Sequence, residues 1–417
     1  VYLTLTRNGI SYTAVSQNAN QLAVVQSLNR MADNGTGDAL TVTNLLDGLS
    51  APQARAAFDS IAGADRAVQP LSLNVNQRSV NQLLVARLGL ADSGHALAPD
   101  TGIAGRALML AYEEAVRSDA LPIYAQLGLP SGSGIGANNA ETRNGLWLRG
   151  YGGSGRLDGD AGTSGAKYKF AGAVLGYDRK FGDATAGVFA AYGEPRFDQD
   201  SSASSAKSKT VQAGVYGRYV SDAWHIDGVA SYARNKTDTS RVVSVGGLNR
   251  LATGSFDGDA WNAHVETGYT IKLAGFDLQP LAAISWQRQT QNAYSETGAG
   301  ALNLILPKQS QDSLRSSLGA RTVVPFAMGG VPATLETRAA WSHEFKDTRS
   351  VNARLAGDPA AGVFSLSGPH VPRDSVLLGV GIAAQATRGL RLYADVNSEL
   401  NGSSHAYAVS AGLHYQW

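Results

Sequence analysis

Residues 407–417 read YAVSAGLHYQW. Taken in steps of two, one set is Tyr407, Val409, Ala411, Leu413, Tyr415 and Trp417. The interleaved set is Ala408, Ser410, Gly412, His414 and Gln416. The first is apolar and ends in aromatics; the second is small or polar. That is the period of a β-strand, whose successive side chains point to opposite faces. Apolar on one face and polar on the other, the stretch suits the wall of a closed barrel with lipid outside and water inside. A soluble antiparallel strand shows the same alternation, so the decision rests on how often the pattern recurs.

It recurs from Gly145 onward in about twelve segments, an even number suited to a transmembrane barrel. Their approximate spans are 145–155, 168–181, 184–197, 207–220, 223–238, 254–273, 276–292, 310–326, 332–347, 373–387, 390–400 and 405–417. Trp261, Val265, Tyr269, Ile271 and Leu273 alternate with Asn262, His264, Glu266 and Lys272. Leu314, Leu318, Thr322 and Val324 alternate with Arg315, Ser317 and Arg321, and Leu390, Leu392, Ala394 and Val396 with Arg391, Tyr393, Asp395 and Asn397. The charges share one face, as a wet lumen behind a lipid-facing wall requires. Short turns (182–183, 221–222, 274–275, 329–330, 388–389) alternate with longer polar stretches near 156–167, 198–206, 239–253, 293–309 and 348–372. A brief last one lies near 401–404. Outer-membrane barrels show this asymmetry, whereas a β-sandwich does not predict it. With an even strand count, both barrel termini fall on the short-turn, periplasmic side.

Composition agrees. The mean hydropathy is −0.14, and no run approaches the roughly 18 apolar residues of a spanning helix. That excludes a helical membrane protein but not a barrel, whose strands hide their hydrophobicity in alternation. The 48 glycines fit many tight turns, and a net charge of +1 gives no sign of a nucleic-acid surface. There is no cysteine, which suits a chain that stays unfolded while threading a pore. No signal peptide opens the sequence. An exported protein of this kind is expected to be a fragment with its front end missing.

Upstream of the strands the texture is helical. Residues 1 to about 13 alternate like the closing strand of something earlier. Asn20, Leu22, Val25, Leu28 and Met31 recur at helical spacing up to Gly35 and Gly37; Val42, Leu45, Leu46 and Leu49 mark a second helix. Ser50-Ala51-Pro52-Gln53 starts a third, a serine N-cap followed by glutamine three residues on. Further helices are expected at about 74–88 and 103–118. Segment 131–144 has the composition of a linker. The expected organisation is 1–15 as the tail of an upstream domain, 16–130 as a mainly α-helical junction, 131–144 as a linker, and 145–417 as an all-β transmembrane barrel of about twelve antiparallel strands.

Several of these motifs, in this order, resemble the translocator half of monomeric (type V) autotransporters of Gram-negative bacteria. Gly145-Leu146-Trp147-Leu148-Arg149-Gly150-Tyr151-Gly152 is similar to the first strand of that family. Trp341-Ser342-His343-Glu344, then Phe364, Gly368-Pro369, Arg373-Asp374 and Gly379-x-Gly381, resemble its last large loop and the strands flanking it. Leu49–Arg55 to Ile61-Ala62-Gly63 resembles the helical junction between passenger and barrel. There, this chain has Gly63-Ala64-Asp65 where the family usually shows Gly-Glu. The resemblance implies an outer-membrane pore through which an N-terminal passenger reaches the surface, with residues 1–13 the tail of that passenger. It also implies a lumen filled by an upstream helix, for which 103–118 is the best helix and 122–144 the nearer segment. The terminal strand, with Tyr407, Val409, Leu413, Tyr415 and Trp417, resembles the signal read by the barrel-assembly machinery. Implied partners are outer-membrane lipid, that machinery, periplasmic chaperones and the chain's own passenger, the translocator itself being a monomer.

In some members of that family an asparagine releases the passenger by attacking its own backbone inside the lumen. Asn138-Asn139-Ala140 precedes the barrel, so Asn139–Ala140 is the candidate bond. Glu266, Asp395, Asp227 and Glu336 are the inward carboxylates able to polarise it. The alternative is that these asparagines belong to a flexible linker. The inward series Arg149, Arg218, Asp227, His264, Glu266, Arg315, Arg321, Glu336, Arg338, Arg391, Asp395 and His414 either grips the plug or pairs within the wall. Trp224, Trp261, Trp286, Trp341 and Trp417 face outward as interfacial girdles. His264 and Glu266 lack a third metal ligand, and no nucleophile elbow, phosphate loop or cofactor motif is present. An adhesin or membrane enzyme acting through its loops would need functional residues there, yet those loops are rich in Ser, Ala, Gly and Asp. A solute porin would not need 144 upstream residues.

Overall fold

The computed structural model describes residues 11–91 and 142–417, apart from 161, 201–202, 347–348 and 361. Twelve strands form the wall. They are β1 (Thr142–Leu157), β2 (Ala166–Phe181), β3 (Ala184–Gly193, continued beyond a Glu194-Pro195 break as Arg196–Gln199), β4 (Ser205–Ser221), β5 (Trp224–Val245) and β6 (Leu248–Tyr269). Then come β7 (Phe276–Gln291), β8 (Gln309–Met328), β9 (Val331–Glu344), β10 (Asp374–Gln385), β11 (Leu390–Leu400) and β12 (Ser404–Gln416). Each pairs antiparallel with its neighbour. β1 pairs with both β2 and β12, from Gly145↔Gln416 to Leu157↔Ser404, so the sheet closes on itself and leaves no free edge. The stretch quoted first is the closing strand.

Alternation does the sorting. Along β5, burial switches at almost every residue from Trp224 to Val245. Val188, Val211, Ile284, Trp261 and Val409 lie on the exposed outer face, while Arg149, Arg321 and Glu266 are buried inside. Trp224, Trp286, Trp341 and Trp417 also face outward, and Trp147 points into the lumen. Tight turns at one mouth join β2–β3, β4–β5, β6–β7, β8–β9 and β10–β11. There Gly329 and Gly330 (φ 62° and 84°) adopt the left-handed conformation that a two-residue hairpin needs.

The opposite mouth departs from the sequence expectation. Residues 239–253, read as a polar loop, continue β5 and β6 as a protruding hairpin that turns at Gly246-Gly247 (φ 53° and 88°). The two glycines supply the turn, and Val243 and Val245 gain a partner to bury against. Stretches 293–309 and 348–372 hold short strands, Tyr294–Ser295, Leu304–Leu306, Ser350–Leu355 and Phe364–Ser367, joined in a small sheet of their own.

What they pack against is helical. α1 (Ala19–Asn34), α2 (Asp38–Asp47), α3 (Ala51–Ala62) and the single turn α4 (Asp65–Val68) sit over this mouth. Asn18 caps α1 by accepting from the Gln21 N–H at 2.8 Å. The Gln53 side chain accepts from the Ser50 N–H at 3.0 Å, and Gly63 (φ 65°) ends α3 in the left-handed conformation. Val24, Val25, Leu28, Val42, Phe58 and Ile61 from the helices share one core with Val243, Leu302, Leu304, Leu355 and Leu366 from hairpin and loops. The strand expected through residue 13 does not reach it. Tyr12–Ala14 is a 3-10 turn, and Tyr12 is buried against Phe58 with its hydroxyl donating to Asp47 at 2.7 Å. The rest of that segment, 1–10, lies outside the described residues, as do 103–118, 131–140 and the Asn139–Ala140 bond.

Candidate functional site

The lumen is filled by α5 (Pro70–Ala91). Its 22 residues at 1.5 Å each span about 33 Å, enough to cross a hydrocarbon band about 25 Å tall. Helix 74–88 of the sequence reading is therefore the plug. The two candidates named there lie outside the described residues, 103–118 wholly and 122–144 nearly so. The sequence does not single out α5 as the plug, because the barrel encloses it on all sides and its apolar residues do not form one clean stripe.

That enclosure has two halves. Val75, Val80, Leu83, Leu84, Val85 and Leu88 pack on a wall of Trp147, Tyr151, Phe170, Val174, Phe189, Tyr216 and Val229, contributed by β1–β5. The remaining wall is charged. Between it and α5 lies a cavity of about 80 Å³ lined by residues that include Arg78, Asn81, His264, Glu336, Arg338 and Asp395.

Polar bonds fix the helix at several heights. The Tyr151 hydroxyl donates to Asn76 Oδ1 at 3.0 Å, and the Gln287 amide donates to Gln77. Arg78 pairs with Glu399 at 3.5 Å. Near the short-turn mouth Arg87 pairs with Asp178 and lies 2.9 Å from His414 Nε2. Asp178 also accepts from the Tyr216 hydroxyl at 2.6 Å, which in turn accepts from the Trp147 indole at 2.5 Å. Arg218 donates to the Leu88 carbonyl at 2.7 Å, meeting a carbonyl that the last turn leaves open. It is held for this by Asp227 at 2.6 and 2.9 Å.

Other inward residues read from the sequence pair mainly with the wall itself. Arg149 reaches Asp395 at 3.2 Å and lies over the Tyr393 ring at 4.6 Å. Arg315 reaches Glu399 at 2.7 Å, Arg321 reaches Gln279 at 2.7 Å, and Arg391 reaches Gln385 at 2.9 Å. Arg338 pairs with Glu266, whose second oxygen has no hydrogen-bond partner among the described residues; the same holds for Glu336 Oε2. His264 binds Ser285 at 2.7 Å. It is His225, not His264, whose ring nitrogen lies with Asp227 and Glu266 in a group of candidate ligand atoms all within 4.8 Å of one another. Arg218 and Arg338 already balance those two carboxylates. The sequence reading missed Asp178, Tyr216 and Glu399. Parity marks a residue as inward but does not reveal its partner across the lumen.

Above the lumen, a second buried cluster ties α4 to the loops. Glu296 accepts from Arg66 at 2.9 Å, from Arg241 at 2.6 Å and from the Leu304 N–H at 2.9 Å. Asp65 pairs with Arg66 at 2.8 Å, and Arg241 also donates to the Ser60 carbonyl at 2.7 Å. All four charged side chains are about 1% exposed or less. Burial opposes the charge on Glu296, but Arg241 and Arg66 outweigh it and hold the carboxyl down at about 2. Burial pushes Asp65 upward against Arg66 and Arg241. Of the two carboxylates, Glu296 is the firmer anion.

Comparison with known proteins places this geometry. A family model described as the autotransporter beta-domain matches residues 146–397. An extracellular serine protease of Serratia marcescens is 25% identical over 276 residues, which are 66% of this chain and 26% of that protein. An uncharacterised protein from the trpE-trpG intergenic region of Pseudomonas putida is 28% identical over 169 residues, 39% of this chain and 28% of that protein. The chain thus matches only about a quarter of the length of these relatives. The translocator domain of the autotransporter NalP from Neisseria meningitidis superimposes with a TM-score of 0.52 at 18% identity, over 75% of this chain and 96% of that one, which is a likeness of fold.

Proposed function

This chain belongs to the autotransporter β-domain family, and we propose that it is an outer-membrane pore which carries its own N-terminal passenger to the cell surface and is then closed by α5. The observation that supports this most is the path of the chain. α5 starts beneath the helices of the loop mouth and ends beside Asp178 and Arg218 near the short turns, inside a ring with no free edge. A segment threaded through a closed ring leaves everything before it on the loop side. With short turns in the periplasm, that side is the exterior. The passenger itself, whether protease, adhesin or other, lies upstream of the matched region.

The bonds from Asn76, Gln77, Arg78, Arg87 and Leu88 to the wall then serve as the grip that retains the plug. Arg149, Arg315, Arg321, Glu336, Arg338, Arg391 and Asp395 line the conduit. Tyr407, Val409, Leu413, Tyr415 and Trp417, on the outer face of the closing strand, are offered to the assembly machinery. Lipid, that machinery and periplasmic chaperones are the partners this reading requires, with the barrel acting as a monomer. Passenger release at Asn139–Ala140, with Glu266 assisting, belongs to the same reading.

The test is accessibility. An epitope fused before Val1, behind a signal peptide, is expected to be removed by protease added to intact cells. Removal only after permeabilising the outer membrane refutes the reading. N-terminal sequencing of the extracted barrel reports release in the same experiment. A start at Ala140 that is lost in Asn139→Asp and slowed in Glu266→Gln supports self-cleavage, and an uncut chain retires it.

A further inference from the structure

On four neighbouring strands, the outward face changes from apolar to basic at the same level. Beyond the last exposed apolar positions, Ala171 on β2, Tyr192 on β3, Val211 on β4 and Tyr232 on β5, the next outward residues towards the loop mouth include Lys169, Arg196, Lys209 with Lys207, and Arg234 with Lys236. All six are exposed. The height is set by the strand. From Trp224, at the short-turn rim of β5, to Arg234 is ten residues, which at about 3.3 Å each and a tilt of about 40° rise roughly 25 Å, the thickness of the hydrocarbon band. The arc therefore lies at the headgroups of the outer leaflet. The arc ends at the adjoining strand β6, where Trp261 gives way to Asp259 and Asp257 opposite Arg234 and Lys236, and on β8 Leu314 gives way to Asp312.

The arc sets like charges side by side. Lys169 is directly opposite Arg196, Arg196 opposite Lys207, and Lys209 opposite Lys236. Such cross-strand pairs destabilise a sheet. Nearby carboxylates offset this only partly. Arg196 has Glu194 at 3.8 Å and Arg234 has Asp257 at 3.5 Å, and in the register Lys207 faces Asp238, Lys236 faces Asp257 and Arg234 faces Asp259. None of Lys169, Lys207, Lys209 and Lys236 comes within 4 Å of a carboxylate among the described residues, Asp238 and Asp257 opposite two of them included.

We propose that this arc is a binding site for the phosphorylated headgroup of a glycolipid in the outer leaflet. Lysine ammoniums on flexible stems clamp its phosphates, and the apolar positions beneath, Tyr192, Val211 and Tyr232, receive its acyl chains. The site takes from the preceding reading only the orientation of the barrel. Maleimide labelling of Lys207→Cys on intact cells tests that orientation separately.

The experiment titrates purified protein in detergent with bisphosphorylated lipid A and with the same lipid stripped of phosphate, reading bound lipid by native mass spectrometry and the thermal midpoint. The phosphorylated lipid is expected to bind more tightly and to raise the midpoint. Each lysine near an anionic surface contributes about fivefold, so Lys209→Gln with Lys236→Gln weakens binding about thirtyfold. The same variant leaves the lipid-free midpoint equal or higher, because a repulsive pair is gone. Lys272→Gln with Lys346→Gln, exposed lysines outside the arc, leaves binding unchanged. Equal affinity for the dephosphorylated lipid, an unweakened Lys209/Lys236 variant, or an equal loss in the Lys272/Lys346 variant overturns the site.

Discussion

Glu296→Gln tests whether the helices over the loop mouth are locked in place or only rest there. The substitution keeps the volume and removes one charge from a cluster of two arginines and two carboxylates. Arg66 and Arg241, each about 1% exposed on the side chain, are then left with Asp65 as their single carboxylate. Breaking a buried pair in this way costs about 3–5 kcal/mol, mostly through the stranded charge. The carboxyl itself gives a second route to the magnitude. It is held at about 2 against an ordinary 4.5, and this gap corresponds to about 3 kcal/mol. The two routes agree. Because the native value is depressed, the contribution is complete above about pH 5 and is lost as pH falls towards 2. Asp65, shifted the other way, changes with pH in the opposite sense, so the comparison is between wild type and Glu296→Gln at each pH.

The assay is hydrogen exchange of α1–α3 in the intact protein, with heat-dependent gel mobility as a check that the barrel is unchanged. At pH 7 the variant is expected to open its helices at least a hundredfold more often, and the gap to wild type is expected to close between pH 5 and 2. Arg66→Met combined with Glu296→Gln restores charge balance and recovers much of the loss. Protection within about 1 kcal/mol of wild type at pH 7, or strict additivity in the double variant, refutes the lock.

Three further expectations concern the wall and the plug. Val265→Arg places a charge on the exposed face of β6 and should destabilise the barrel by about 2–4 kcal/mol near midplane, read by unfolding in lipid vesicles; no change would mean that the face assignment is wrong. Deleting Trp417 should reduce the fraction of chain assembled in outer membranes, and normal insertion would remove the terminal strand from the assembly signal. Arg218→Ala strands Asp227 and frees the Leu88 carbonyl, so planar-bilayer recordings should show larger or more frequent openings than wild type. If the recordings match wild type, the C-terminal grip on α5 does not restrain the plug.

Which parts of this structure were legible in the sequence follows from what each residue faces. A strand between lipid and water meets two uniform solvents, so its pattern is strict, and Trp261–Val265 against Asn262–Glu266 shows that β6 is a wall strand and which side is outside. The hairpin tip at 239–253 meets neither solvent cleanly. One face of it packs on α2 and α3 and buries Val243 and Val245, while the Ser, Arg and Asn around them give the segment the composition of a loop. α5 is the extreme case. Half its surroundings are the aromatic wall of β1–β5 and half are Gln287, Glu399, Asp178 and Arg218, so a helix matched to both cannot show one apolar stripe. Its polar partners belong to six strands far apart in sequence, β1, β2, β4, β7, β11 and β12, and only closing the ring brings them to one axis. The features that single out a plug are therefore properties of the closed barrel. In the linear chain, Asn74–Leu88 is an ordinary, weakly amphipathic helix, and only the cross-lumen bonds of Arg87 and Leu88 set it apart from a neighbour with a cleaner pattern.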